Sequence, residues 1–103
     1  MIRKVAQYKV KKVEVRAVEQ AIIEFVAAIT QNEPHTFYEA YQGGDGVSFI
    51  HFMTFPDQDA ENQHMAAIYT TKFVEVLSPQ CEAAPIFTDL KLVRSSTTSA
   101  ETD

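Results

Sequence analysis

Tryptophan is absent from this sequence, cysteine occurs once and glycine three times. A single thiol, Cys81, forms no disulfide within the chain, so a disulfide-stapled fold is excluded and a reducing compartment is expected. No apolar run approaches the ~20 residues that span a bilayer. The opening residues Met1-Ile2-Arg3-Lys4-Val5-Ala6 lack the apolar centre of a signal peptide, so the expectation is a cytoplasmic protein with no membrane partner. Bases are scarce as well. Nine Lys and Arg against fourteen Asp and Glu give a net charge of −5, which argues against a nucleic-acid partner. Also missing are a metal-ligand spacing among His and Cys, a glycine-rich phosphate loop and a Gly-x-Ser-x-Gly elbow. No standard cofactor or metal is signalled.

What is present is 103 residues, 46% apolar and 22% charged, the composition of one globular domain. The domain is expected over residues 1–94, followed by a polar tail, Ser95–Asp103. Charge is unevenly placed, because Arg3, Lys4, Lys9, Lys11 and Lys12 precede every acid in the chain. Such a strip either docks an anion or keeps a solvent-facing strand soluble and unpaired.

Periodicity supplies the elements. Val5, Tyr8 and Val10 among polar residues predict a strand over Arg3–Val10. Val18, Ala21, Ile22, Phe25, Val26 and Ile29 recur at helical spacing and predict a helix that Pro34 stops near Asn32. His35–Gln42 and Val47–Phe55 read as strands joined at Gly43-Gly44-Asp45-Gly46, an antiparallel hairpin. Asp57 or Asp59 caps a second helix expected from about Asp59 to Leu77, with Met65, Tyr69, Phe73 and Val76 as its apolar stripe. A last strand is expected over Ile86–Val93. The order β-α-β-β-α-β is the split βαβ arrangement of α+β, ferredoxin-like domains, with helices on one face of a four-stranded antiparallel sheet.

The third strand is apolar on both faces: Val47, Phe49, Met53 and Phe55 alternate with Ile50 and Phe52. The last strand repeats this with Ile86, Leu90 and Leu92 against Phe87 and Val93. Helices cover only one face, so a homodimer packed sheet to sheet is expected.

His64 leads the candidates for chemistry. On the second helix it shares a face with Ala60 and Ala67, and small neighbours leave volume for a ligand that the imidazole acts on as acid or base. The alternative is a satisfied core histidine bonded to a backbone carbonyl. Ala67 and Ile68, one turn on, are expected to border that ligand. His51 sits among Phe49, Ile50, Phe52 and Met53, where burial should depress its pKa. Tyr38 and Tyr41 project to opposite faces of one strand, so at most one orients a phenolic or quinone-like ligand.

The ordered elements Asn32-Glu33-Pro34-His35-Thr36, the aromatic strand after them, and Phe55, Asp57, Ala60 and His64, with Phe73 further on, resemble the antibiotic biosynthesis monooxygenase superfamily over residues 3–93. The resemblance implies a dimeric α+β barrel that oxidises a small aromatic or quinol-type metabolite with O₂, without metal or flavin. It makes His64 the catalytic residue that binds or deprotonates the phenol. Tyr38 or Tyr41 would orient the substrate, Met53 or Phe49 would wall the pocket, and His51 would complete the lining. His35 stands where the family commonly has Gly, and Met53 where it often has an acid. The heme-degrading branch uses a strand Trp and an Asn on the first strand, and this chain has neither. Two other readings stay open at this point: a non-catalytic barrel that binds a small apolar metabolite in stress or signalling, and heme binding through His64.

Overall fold

The computed structural model describes residues 1–97. Strand β1 (Ile2–Lys9) leads through a 3₁₀ turn (Lys12–Glu14) into α1 (Val15–Asn32), followed by β2 (Phe37–Gln42), β3 (Ser48–Phe55), α2 (Gln58–Ala66), α3 (Ile68–Leu77) and β4 (Ile86–Leu90). The four strands form one sheet in the order β2-β3-β1-β4, with every neighbouring pair antiparallel. This is the expected ferredoxin-like α+β fold. Of the expected tail, residues 98–103 lie outside the described residues.

Alternation along β3 sends Phe49, His51, Met53 and Phe55 under the helices, while Phe52 is 40% exposed on the open face. Helix α1 buries Val18, Ile22, Phe25 and Ile29, the stripe its spacing predicts. These residues join Tyr8, Val10, Phe49, Phe73 and Leu77 in the larger apolar cluster, while Ala6, Met53 and Phe55 form a smaller one. Tyr38 packs against both clusters. At the hairpin, Asp45 Oδ1 accepts the amides of Val47 (3.0 Å) and Ser48 (2.8 Å), and Gly46 takes φ +79°. Side chains rarely adopt that backbone conformation, so glycine suits this position.

Two expectations need correction. The second helix is not continuous. Asp57 caps α2 by accepting the Ala60 amide at 2.8 Å, and Ala67 then turns extended (ψ 145°) before α3 begins. The reason lies in angular phase. His64 and Phe73 are nine residues apart, and at about 100° per residue a straight helix would put them on opposite sides. The break resets the phase so that both are buried, at 3% and 7% exposed. The predicted stripe fails accordingly: Met65 and Val76 are exposed, and Glu61, His64, Thr70, Phe73 and Leu77 are buried instead. The last strand ends at Leu90 rather than Val93. All five residues of β4 are exposed, including Ile86 and Phe87, which project to opposite faces of this edge strand.

Candidate functional site

Helix α2 carries no buried apolar side chain among its described residues; it buries Glu61 and His64. Polar pairs therefore seat it on the sheet. Glu61 meets Lys4 of β1 at 2.5 Å and accepts from Gln58 on its other oxygen at 2.8 Å. The Lys4 ammonium bonded to Glu61 holds that carboxyl below the usual range.

One turn on, His64 Nδ1 lies 2.9 Å from Glu33 Oε2 and 3.2 Å from Oε1. Glu33 is the last residue before Pro34, and its side chain is 7% exposed. A carboxylate only accepts, so the proton of the imidazole sits on Nδ1. Nε2 is the ring nitrogen left over by this contact, and it has no hydrogen-bond partner among the described residues. The Tyr69 hydroxyl donates to the same Glu33 oxygen. Burial, followed by this hydrogen bond, pushes the Tyr69 phenol up, so it remains a proton donor. A carboxylate that orients an imidazole and leaves its far nitrogen basic is the arrangement of a general base.

A second network lies beside the first. His51 is 1% exposed, and both its nitrogens face phenols: Tyr8 Oη at 2.7 Å from Nε2 and Tyr38 Oη at 2.6 Å from Nδ1. The sheet register explains this. Directly across from His51 stand Ala6 on β1 and Ala40 on β2. Those methyls leave room for Tyr8 and Tyr38, two residues along on either strand, to reach diagonally over the imidazole. Burial depresses the His51 pKa to about 4, so the ring is neutral at neutral pH. Burial likewise pushes the Tyr8 and Tyr38 phenols up. Ring contacts link the two networks. Tyr38 lies 5.8 Å from His64 and 5.5 Å from His51 between ring centres, and Phe25 packs against Tyr38, His64, Tyr69 and Phe73.

Of the residues singled out from the sequence, His64, Tyr38 and His51 thus come together. Met53 is buried in the smaller cluster near Tyr38, its register partner on β2. Phe49 stacks on Tyr8 at 5.6 Å, on the far side of His51 from Met53. Three of the expected positions are not drawn in. Tyr41 is 50% exposed on the opposite face, bonded to Glu39 and edge-on to Phe52. Ile68 is 86% exposed at the helix break, and the half-buried Ala67 serves as the hinge between α2 and α3. Glu33, Tyr69 and Tyr8 were missed. The acid wedged between a helix end and Pro34 was a signal for Glu33, and the in-phase alanines Ala6 and Ala40 were one for Tyr8. Glu33, Ala60 and Gln63 also line an open cleft of about 270 Å³ together with Asp57 and Asp59. That is near the lower bound of about 300 Å³ for small-molecule sites.

No family model matches the sequence, and no curated protein does either. Solved structures do. One described as an antibiotic biosynthesis monooxygenase superposes with a TM-score of 0.82 at 21% identity, covering 91% of this chain and all of that one. The fold is that of the antibiotic biosynthesis monooxygenases. A Caulobacter crescentus protein provisionally assigned to the same group has a TM-score of 0.80 at 23% identity, over 90% of each chain. Rv0793 of Mycobacterium tuberculosis has a TM-score of 0.81 at 14% identity, covering 92% of this chain and 97% of its own. Among the described residues no cluster of three His, Cys, Asp or Glu is placed to hold a metal ion, and no helix is long and apolar enough to cross a membrane.

Proposed function

We propose that this protein is a small monooxygenase of the antibiotic biosynthesis type, acting on an aromatic or quinol-type metabolite with O₂. The observation that carries this reading is the buried His64–Glu33 pair inside that fold, with Nδ1 held by the carboxylate and Nε2 left basic. In this reading Nε2 takes the proton of a phenolic hydroxyl, and Glu33 balances the imidazolium that forms. The resulting electron-rich anion reduces O₂ itself, so the electrons come from the substrate. Phe25, Phe55 and Tyr38, whose rings surround His64, supply an apolar wall. The working unit is proposed to be a homodimer joined through the open sheet face, where Phe37, Tyr41, Phe52, Ile86 and Leu90 are exposed.

Oxygen uptake with a panel of hydroquinones, naphthols and anthrones tests the reading. Turnover should fall by about a hundredfold or more in His64→Ala and by less in Glu33→Gln. No uptake with any member, or full activity in His64→Ala, overturns it. Saturable binding without product would favour the non-catalytic barrel, and a Soret band on titration with heme would favour heme binding.

A further inference from the structure

The Tyr8–His51–Tyr38 network has no part in the proton abstraction above, yet it buries three polar groups in the core. A neutral imidazole has one N–H and one lone pair, so one tyrosine donates to His51 and the other accepts from it. Tyr38 borders His64 and the Glu33 carboxylate, and Tyr8 lies on the far side against Phe49. We propose that Tyr38 and His51 form a redox site in which Tyr38 gives one electron to an oxidant of the peroxyl or comparably strong organic-radical class while its phenolic proton passes to His51.

The step balances within the network. One electron leaves the Tyr38 ring, its O–H bond breaks, and an N–H bond forms at Nδ1 across the 2.6 Å contact. The products are a neutral tyrosyl radical, an imidazolium and the reduced oxidant. Both imidazolium N–H groups keep acceptors, Tyr38 Oη at one nitrogen and Tyr8 Oη at the other. No hydrogen bond is lost and no heavy atom has to move. Return of the electron sends the proton back along the same bond. Burial keeps the phenol protonated and the imidazole neutral at rest, so proton loss ahead of oxidation is closed. Apolar rings, Phe25 beside Tyr38 and Phe73 beside His51, flank the pair and shield it from solvent. The inference stands without the oxygenase reading, because the pair responds to any one-electron oxidant strong enough to oxidise a phenol.

Flash-quench oxidation tests it directly. The protein, with Tyr41→Phe and Tyr69→Phe removing the two other tyrosines, is illuminated with tris(bipyridine)ruthenium and a cobalt(III) acceptor. The radical is followed by electron paramagnetic resonance and transient absorption. A tyrosyl signal should appear, vanish in Tyr38→Phe, and form more slowly in D₂O. His51→Gln offers both tyrosines a partner but is no proton acceptor of comparable strength, so it should slow radical formation by about a hundredfold. Wild-type formation rates in a folded His51→Gln, an unchanged signal in Tyr38→Phe, or no signal in the folded background would each overturn the proposal. If His51→Gln does not fold, the D₂O comparison decides: equal rates in both solvents overturn it.

Discussion

Truncating Glu33 to alanine should cost about 3 kcal/mol of stability. The carboxylate side chain is buried and accepts from the buried His64 Nδ1–H and from the half-buried Tyr69 hydroxyl. Alanine leaves both without an acceptor, and each unsatisfied buried donor costs about 1–3 kcal/mol. The open cleft along Glu33 admits water to the vacated space, which places the value at the lower end. Glu33→Gln keeps one carbonyl acceptor and should lose about half as much. For a domain of this size the alanine variant should melt about 15 °C lower. Urea unfolding followed by circular dichroism, at matched protein concentration, measures the loss, with the slope unchanged if both proteins unfold to the same state. An alanine variant within about 0.5 kcal/mol of wild type would refute the reasoning, since that is the scatter of uninvolved surface sites. Equal losses in Glu33→Ala and Glu33→Gln would show that the lost acceptor is not the cause.

Three further outcomes are expected. His51 has a folded pKa of about 4 against about 6.5 unfolded, so the unfolded chain binds more protons between those values. Its contribution of about 3 kcal/mol is complete above pH 6.5 and drains away as pH falls toward 4; urea unfolding across that window should show a steeper pH slope for wild type than for His51→Gln, and parallel slopes would sink the assignment. Gly46→Ala, forced to hold φ +79° in open space, should cost about 1 kcal/mol, while Gly44→Ala, also in open space but without positive φ, should cost less by the same melt. Phe52→Glu on the open sheet face should abolish the proposed sheet-to-sheet dimer in light scattering with the fold intact, and an unaltered mass would remove that face from the interface.

Much of this architecture was legible because it rests on periods. The Val18, Ile22, Phe25 and Ile29 stripe needed only helical spacing, and the hairpin needed only its glycines and the alternation along β3. The break at Ala67 was not legible, since Ala66-Ala67-Ile68 contains neither glycine nor proline, and the demand for it comes from where Phe73 must pack. The site was half legible for a similar reason. His64 stood out by its residue type and its small neighbours. Its partner Glu33 lies 31 positions away in the chain, a pairing created only where the end of α1 meets α2 in the folded chain. Tyr8, His51 and Tyr38 come from three strands, and their meeting depends on a register that local sequence does not specify.

The extended residue at Ala67 also shapes how this chain can drift. In an unbroken helix an inserted or deleted residue turns everything beyond it by about 100°, so chemistry and packing on one helix must change together. Here the break frees the rotation of one helix from the other, and Tyr69 of α3 on the Glu33 carboxylate is a tie that remains. Substitutions that repack Phe73 and Leu77 on α3 need not turn α2 with them, and a change of length at the junction is absorbed by a peptide already outside helical geometry. Selection can therefore retune the polar underside of α2 for a new ligand while the apolar cluster beneath α3 is inherited unchanged.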